Sequence, residues 1–282
     1  MTGFVFLAVI LAACLHAVWN ALVKSGTDKQ LGMVAVTLGH VPLAVIGLAQ
    51  VPAPARESWP YIAVGIGLHV GYQLFLMASY RIGDLTQVYP IARGSAPLLV
   101  ALVSVVFLGV HLAPLELAGI LTIGIGILSL MLVRHADGQR NMKAAGMALA
   151  TGCFIAAYSL VDGTGARLAG TALGFFGWLA VGNAAAIALY AAITNPGLFK
   201  RLPFEGKRAF LIGGSASFTA FAIVIWAFTQ APIALVTALR EISIVFALLI
   251  GVFFLKERLN LAKVFSTFVM LIGVALLRIS KP

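Results

Sequence analysis

Charged residues are scarce in this sequence. Only 10% of its 282 residues are charged, against roughly 25% in a typical soluble domain, and the mean hydropathy is +1.05. No polar stretch between the apolar segments is long enough to form a separate soluble domain. The composition excludes a water-soluble protein and predicts that any functional site lies in or beside a membrane.

Cysteines and paired acidic residues are scarce as well. Cys14 and Cys153 are the only cysteines, and both lie inside apolar runs, which argues against a disulfide framework or a zinc site. The chain has no Gly-x4-Gly-Lys-Ser/Thr loop for a nucleotide phosphate, and its acidic residues are scattered rather than paired. We therefore expect no metal, no cofactor, no nucleotide hydrolysis and no enzyme site.

Basic charge, by contrast, is plentiful. The 19 lysines and arginines against 9 acidic residues give a net charge of +10, which in a soluble protein would suggest a nucleic-acid partner. Here the basic residues lie mostly in short loops between apolar runs, where they orient the chain against anionic lipid. Membrane lipid is the expected partner, and nucleic acid is not.

Long apolar runs dominate the chain. A helix needs about 20 predominantly apolar residues to cross the hydrocarbon core. The predicted spans are 4–23, 31–50, 60–80, 87–110, 114–133, 144–161, 171–193, 208–228, 233–255 and 261–279. Met1-Thr2-Gly3 carries no basic residue, so the first span is predicted to be a retained helix rather than a cleaved signal. The pattern predicts an all-α integral membrane protein of about ten transmembrane helices.

The two halves of the chain resemble each other. Sliding the sequence on itself by 147 positions superposes Arg93 on Arg240 and Gly126 on Gly273, and at a slightly different offset Trp19 matches Tyr158. We predict two five-helix repeats, residues 1–138 and 139–282. Because five is odd, the second repeat enters the membrane in the opposite sense. Inverted repeats of this kind surround a central cavity near the midplane and allow alternating access.

The loop charges predict an orientation. Most basic residues lie in the loops after the first, third, fifth, seventh and ninth helices. The other loops and the C-terminal end hold only Arg56, Arg167, Arg278 and Lys281. By the positive-inside rule this arrangement places both termini outside.

Several segments resemble one known family. They are Val88-Tyr89-Pro90-Ile91-Ala92-Arg93-Gly94-Ser95-Ala96-Pro97, its counterpart Ala238-Leu239-Arg240-Glu241-Ile242-Ser243, and Leu255-Lys256-Glu257-Arg258-Leu259 followed by an apolar helix with Gly273. With the ten spans and the duplication, these motifs resemble the drug/metabolite transporter superfamily, in its EamA branch, over the full length of the chain. The resemblance implies a secondary carrier of the bacterial inner membrane, often an exporter of amino acids or related metabolites.

Two features depart from that branch. Gly109-Val110-His111-Leu112 stands where the family usually has a Gly-Glu-Arg-like turn. Members are also commonly drawn with cytoplasmic termini, opposite to the orientation that the loop charges predict. The orientation therefore stays open, as does the choice between a monomer and a homodimer.

Ionisable residues inside apolar spans are the default candidates for function because burying them is expensive. Arg93 and Arg240 match across the repeat, so a pseudo-twofold axis would bring them to equal depths. Since a guanidinium presents a planar fork to carboxylate, phosphate or phosphonate, we predict that the two form an anion clamp. The alternative is structural: Arg93 would cap carbonyls near Pro97, and Glu241 would neutralise Arg240. This alternative is stronger for Arg240.

Two acidic residues call for opposite expectations. Glu241 is the only carboxylate well inside a predicted span, which makes it the candidate proton-coupling group, with a structural counter-ion as the alternative. Asp162 lies near a predicted helix end and is expected to face water.

Polar and aromatic residues at helical spacing predict two cavity walls. His16, Trp19 and Asn20 share one face of the first helix, and His69, Tyr72 and Gln73 repeat the arrangement in the third. The alternative is that each histidine only bonds a neighbouring helix. Second-tier cavity candidates are Tyr89, Tyr158, Ser159 and Trp226. His40, which stands alone before Pro42, is expected to pack.

These features favour a secondary transporter that exports a small anionic or zwitterionic metabolite, amino acid-like, with a proton as the candidate coupling ion. Two intramembrane arginines against one carboxylate leave the predicted cavity net positive. The alternative is a multidrug or organic-cation proton antiporter. Such a carrier is expected to have an acidic residue in its first helix, where His16 and Asn20 stand here.

Overall fold

The computed structural model describes residues 1–26, 28–82, 85–129, 142–253 and 261–280, and every regular element within these ranges is helical. The helices are α1 (Gly3–Ser25), α2 (Lys29–Leu48), α3 (Trp59–Ile82), α4 (Leu85–Val106), α5 (Pro114–Ser129), α6 (Met142–Leu168), α7 (Ala172–Thr194), α8 (Leu198–Glu205), α9 (Gly214–Gln230), α10 (Ile233–Arg240), α11 (Ser243–Phe253) and α12 (Leu261–Ile279). A 3-10 turn, Arg56–Ser58, precedes α3, and a π-helical turn, Ala209–Gly213, leads into α9. The predicted motif at residues 255–259 lies outside the described residues.

Local side-chain chemistry fixes several helix starts. Thr2, Asp28 and Thr171 each accept a hydrogen bond from the backbone N–H three residues further along the chain. Such caps satisfy a donor that has no partner within the helix. They begin α1, α2 and α7 within two residues of the starts predicted from hydropathy.

The helices are built to cross a membrane. Within the described ranges, seven helical segments are long and apolar enough to span one, and three shorter apolar helices accompany them, Ile91–Val106, Pro114–Ser129 and Val264–Ile279. These segments overlap the predicted spans. The chain is therefore an all-helical, multi-pass membrane protein.

Three elements differ from the predicted spans. The sixth span was expected to end at residue 161, but α6 continues to Leu168, because the polar sequence Asp162-Gly163-Thr164 lies inside the helix and does not end it. The ninth span is divided into α10 and α11 at residues 241 and 242. The short α8, which precedes the π-helical turn, was not predicted, since Pro203 and its charged neighbours read as a loop.

Helices of the two halves pack against each other in related pairs. α1 packs on α9 and α11, whereas α6 packs on α3 and α4. α2 packs on α9, and α3 packs on α7. α2–α7, α4–α10 and α5–α12 contacts complete the bundle. The most extensive helix contacts therefore join one half to the other.

Two helix crossings depend on glycine. In the α2–α9 crossing a Cβ on Gly39 would lie 2.9 Å from Gly214 Cα and would overlap the Phe210 carbonyl oxygen. In the α5–α12 crossing a Cβ on Gly273 would lie 2.8 Å from the Gly119 carbonyl oxygen. Small residues let backbones approach closely in membrane helices, so these glycines set the spacing of the bundle.

One ion-pair network joins the two halves outside the membrane-spanning segments. Arg201 on α8 donates to Asp28, the cap of α2, at 2.9 Å and to Glu205 at 2.6 Å. Partial burial alone would raise the pKa of Asp28, but hydrogen bonds from the Leu31 N–H and from Arg201 outweigh it and hold that pKa below its usual value. The same guanidinium lowers the pKa of Glu205. The network is charged at neutral pH.

Candidate functional site

Arg93 lies in a buried charged cluster formed by both halves of the chain. It belongs to α4, and its Nε lies 2.8 Å from Glu241 Oε2, just beyond the end of α10. Its Nη2 donates to Ser243 Oγ at 3.2 Å, and its Nη1 lies 3.4 Å from His16 Nε2 on α1. We call Arg93, Arg240, Glu241, Ser243 and His16 the arginine cluster.

Arg240 has a poorer set of partners. Its Nε lies 3.9 Å from Glu241 Oε1, which is too long for a hydrogen bond, and its guanidinium carbon lies 5.9 Å from the centre of the Tyr158 ring. The side chain is only 2% exposed, yet Nε and Nη2 make no hydrogen bond within the described part of the chain. A buried donor without a partner costs about 1–3 kcal/mol, so Arg240 is the less satisfied arginine.

The sequence repeat accounts for this difference. The positions equivalent to Glu241, Ser243 and His16 across the repeat are Gly94, Ala96 and Ile155. The three partners of Arg93 named above therefore have counterparts that cannot accept a side-chain hydrogen bond. The two arginines are matched in position and not in environment. The structural alternative, expected to be stronger for Arg240, fits Arg93 better, because Glu241 makes its short ion pair with Arg93.

The cluster lies at a break in a helix. α10 ends at Arg240 and α11 begins at Ser243. At the break the backbone N–H groups of Glu241 and Ile242 donate to carbonyls three residues earlier, at 3.1 Å each. Such bonds wind the backbone more tightly than in an α-helix. Discontinuous helices are typical of ligand sites near the midplane of membrane carriers.

Glu241 is enclosed by positive charge. Its side chain is fully buried, with one oxygen 2.8 Å from Arg93 and the other 3.9 Å from Arg240. Two guanidiniums therefore flank this carboxylate. This geometry supports the counter-ion alternative, and the coupling role of Glu241 stays a prediction.

The first predicted wall contributes two of its three residues. The Trp19 indole N–H donates to His16 Nδ1 at 3.2 Å, and the other imidazole nitrogen faces Arg93. Asn20 instead donates to the His16 carbonyl oxygen in its own helix at 2.7 Å. His16 and Trp19 therefore join α1 to the arginine cluster, whereas Asn20 bonds its own backbone.

The second wall carries a buried acid–base pair that the sequence did not predict. His69 Nε2 lies 2.8 Å from Asp162 Oδ2, and the side chains are 7% and 2% exposed. The expectation that Asp162 faces water is wrong. The reason is that α6 continues past the predicted helix end and places Asp162 against α3. We call these two residues the His69–Asp162 pair.

Two aromatic rings connect the pair to the arginine cluster. The His69 ring stacks on Tyr158 with centres 4.2 Å apart, and the same Tyr158 ring lies 5.9 Å from the Arg240 guanidinium carbon. Phe221 contacts the rings of His16 and His69 edge-on, at 5.8 and 5.9 Å. The His69–Asp162 pair and the arginine cluster therefore belong to one site. The rings of Tyr158 and Phe221 lie between them and contact both.

A small polar cavity opens beside the His69–Asp162 pair. It is lined by Trp19, Met33, Val36, Thr37, His40, His69, Tyr72, Gln73, Phe176, Leu179, Ala180, Asn183, Ser217 and Phe221. Its volume is about 30 Å³, and one water needs about 10–15 Å³ of such space. In this conformation the cavity holds a few waters at most, and neither arginine lines it.

The structure therefore places the predicted site residues unequally. Trp19, His69, Tyr72 and Gln73 line the polar cavity. Ser159 is buried but donates to its own helix at the Ile155 carbonyl. Trp226 lies elsewhere, in a groove on α9 where it packs edge-on against Phe4. The side chain of Tyr89 lies outside the described residues.

Sequence reasoning missed three polar residues of the site. His40, which was expected to pack, lines the cavity and also contacts Phe176 and Phe218. Asn183, the one amide in the apolar run of α7, also lines the cavity. The sequence signal that could have identified Asn183 is a single polar residue in the middle of an apolar span. The same signal marked the histidines of the first three spans as ionisable residues. Asp162 was missed because its glycine-rich surroundings resemble a loop.

Comparison with solved structures shows the fold. One crystal structure, described only as that of a protein, is similar over 98% of this chain and 96% of its own chain, with a TM-score of 0.75 and 20% sequence identity. No curated protein matches the sequence significantly. Residues 142–279 match the sequence profile of the EamA-like transporter family.

Proposed function

Because the chain belongs to the EamA-like transporter family, part of the drug/metabolite transporter superfamily, we propose that it is a secondary carrier that exports a small zwitterionic or anionic metabolite, such as an amino acid or a related organic acid, by alternating access. Family membership makes it a multi-pass membrane transporter. The substrate class and mechanism rest on the geometry of the site. Export and the bacterial inner membrane rest on the family resemblance.

The packing supports ten spans in two inverted repeats. If α1–α5 correspond in order to α6, α7, α9, the pair α10 and α11, and α12, the largest contacts between the halves have counterparts. The α1–α9 contact corresponds to α6–α3, α1–α11 to α6–α4, and α2–α9 to α7–α3. Such reciprocity is the pattern expected of a pseudo-twofold axis between the halves.

The α5–α12 crossing supports the same axis at the level of single residues. Gly119 approaches Gly273, and Ser266 donates to the Gly126 carbonyl oxygen. At the 147-residue offset Gly119 corresponds to Ser266, and Gly126 to Gly273. The contact between Gly119 and Gly273 is therefore equivalent, across the proposed repeat, to the contact between Ser266 and Gly126.

The observation that carries the proposal is the state of Arg240. It is buried at the break of a helix, matched to an arginine in the other half, and its Nε and Nη2 make no hydrogen bond within the described ranges. A carboxylate would accept two parallel hydrogen bonds from such a guanidinium. We assign Arg240 as the anion-binding arginine and Arg93 as the arginine that holds Glu241.

The small size of the cavity supports alternating access. Its volume of about 30 Å³ is too small for an amino acid, and Tyr158 and Phe221 separate it from Arg240. Binding therefore requires relative movement of the halves. Movement between repeats around a fixed site is the mechanism expected of an inverted-repeat carrier.

The second buried carboxylate changes the substrate argument made from sequence. Asp162 and Glu241 together balance Arg93 and Arg240, so the buried groups are no longer net positive. An acid and an unsatisfied arginine in one site favour a zwitterion over a dianion. Asp162 is also the observation that favours the alternative, an organic-cation proton antiporter.

Counterflow in proteoliposomes tests the proposal. Vesicles loaded with unlabelled compound would be challenged with labelled L-alanine, L-threonine, L-phenylalanine, succinate, 2-aminoethylphosphonate or tetraphenylphosphonium. We expect counterflow of an amino acid or organic acid that Arg240→Met abolishes. Arg278→Met is the matched control, because Arg278 lies over the Phe6 ring, away from the cluster. Counterflow of tetraphenylphosphonium alone would establish the alternative.

A further inference from the structure

The His69–Asp162 pair links the two halves of the bundle through a buried acid and base. His69 belongs to α3 and Asp162 to α6, and the Nε2 to Oδ2 distance is 2.8 Å. Ionisable groups at this depth are expensive to keep and are functional candidates by default. The arginine cluster does not use them, so the pair requires its own explanation.

The neighbouring backbone makes room for the carboxylate. Gly65 lies one turn before His69 on α3, and a Cβ there would lie 2.8 Å from Asp162 Oδ1 and 2.9 Å from a Leu179 methyl carbon. Asp162 Oδ1 makes no hydrogen bond within the described ranges. A structural polar pair in an apolar interior is normally bonded at each buried atom. The pair is therefore incompletely satisfied as it stands.

The His69 imidazole lies between the Asp162 carboxylate and the polar cavity. His69 lines the polar cavity, and Asp162 does not. An ionised carboxylate only accepts hydrogen bonds, so beside ionised Asp162 the Nε2 nitrogen carries the hydrogen and donates the hydrogen bond, and Nδ1 is the nitrogen left to gain or lose a proton. Nδ1 makes no hydrogen bond within the described residues.

We propose that the His69–Asp162 pair is the site of a transported proton, which binds at His69 Nδ1, and that this proton and the anionic group of the substrate bind together. The inference rests on the proposed transport function and assigns its coupling site. On protonation Nδ1 takes the proton, Nε2–H continues to donate to Asp162, and an imidazolium–carboxylate ion pair then joins α3 to α6. No other bond changes.

The surrounding charges fix the sign of the coupling. Arg240 from α10 and His69 lie against the same Tyr158 ring, so they are at most about 10 Å apart. The other groups facing the site are His16 on α1, His40 on α2, Tyr72 on α3 and Arg93 on α4, with Glu241 held by Arg93. An imidazolium at His69 and the Arg240 guanidinium carry like charges and repel each other at this distance.

An anion bound at Arg240 removes this repulsion. Proton and anion therefore raise each other's affinity by the same factor, as linkage requires. Two ligands that favour each other cross the membrane together. A proton gradient would then act on the substrate in the same direction as on the proton, so the direction of net transport follows the sum of the proton and substrate gradients.

The test uses the full-length protein in proteoliposomes, with internal pyranine to report protons and labelled L-alanine, L-threonine or succinate as the probe. An acid exterior is expected to drive accumulation of the probe together with proton entry in the wild type. His69→Gln, which keeps an amide donor toward Asp162 but cannot be protonated, should lose this accumulation and the pH dependence of counterflow. Asp162→Asn should behave alike.

A glycine pair provides a variant that leaves every ionisable group in place. Gly65→Ala presses a methyl against Asp162 and is expected to reduce gradient-driven accumulation at least tenfold. Gly67→Ala, on the same helix, meets no atom within 4 Å and should behave like the wild type. Thermal midpoints in detergent show whether each variant is folded.

The outcomes separate this inference from the proposed function. Wild-type counterflow without any response to the pH gradient, or accumulation unchanged in His69→Gln, would overturn the proton site and leave the carrier intact. Accumulation driven by an acid interior would overturn the joint binding of proton and anion. A wild type without counterflow of any anionic or zwitterionic probe would remove the proposed function itself.

Discussion

Replacing Arg240 by methionine is expected to abolish transport without a large loss of stability. Methionine fills a similar volume with an adaptable apolar chain and removes the positive charge. The same substitution at Arg93 is the comparison, since Arg93 occupies the equivalent position in the other repeat. The two variants differ only in which of two matched guanidiniums is lost.

The expected magnitudes follow from the contacts. Arg240→Met loses an attraction to Glu241 at 3.9 Å, about 4 kcal/mol at an effective dielectric constant of about 20, and a contact with Tyr158 of about 0.5–2 kcal/mol. It gains about 1–3 kcal/mol for each of two buried donors that no longer lack a partner. At the middle of these ranges the losses exceed the gains by only about 1–2 kcal/mol.

Arg93→Met has no such compensation. It removes the ion pair with Glu241 at 2.8 Å and the hydrogen bond to Ser243. Breaking a buried ion pair from one side typically costs about 3–5 kcal/mol. The thermal midpoint of Arg93→Met should therefore lie clearly below that of Arg240→Met.

The assay follows intrinsic fluorescence during heating in detergent, beside counterflow of the amino acid or organic acid that the wild type exchanges. The reasoning fails if Arg240→Met melts as early as Arg93→Met, because Arg240 would then be the structural arginine. It fails equally if Arg240→Met exchanges the probe at the wild-type rate.

Three further predictions follow from other contacts. Glu241→Gln leaves two buried guanidiniums without a counter-ion and should lower stability by about 3–5 kcal/mol, partly recovered in the double variant with Arg240→Met; thermal melting checks both. Gly39→Ala should cost about 1–3 kcal/mol or more in the same assay, whereas Gly146→Ala, with no atom within 4 Å of the added carbon, should be neutral. Asp28→Asn keeps the helix cap but loses the charge, so it should cost up to about 1 kcal/mol at neutral pH. Since folding lowers the pKa of Asp28, that difference should be present above about pH 3.8 and disappear as the pH falls through the lower folded value.

Hydropathy predicted the positions of the helices well because lipid requires long apolar segments whatever the tertiary fold. It failed where a polar residue is tolerated inside a helix. Asp162 and the two glycines near it read as a loop, yet α6 continues through them because α3 supplies His69 and the space beside Gly65. The sequence contains no local sign of that distant partner.

The candidate site was predicted in its residue types and not in its pairings. The repeat identified Arg93 and Arg240 as equivalent, and the structure brings both to Glu241. Which arginine the carboxylate prefers depends on the break between α10 and α11. No glycine or proline marks that break, so the sequence alone favoured the adjacent Arg240 over the distant Arg93.

The break between α10 and α11 has a mechanical consequence. It divides one span into two helical segments of 8 and 11 residues, about 12 and 16 Å long, which are joined at Glu241 and Ile242. Glu241, one of the two residues at this break, is also the carboxylate that lies near both arginines. An anion bound at Arg240 would weaken the attraction between Arg240 and Glu241. Because Glu241 lies at the break itself, anion binding would act directly on the connection between α10 and α11.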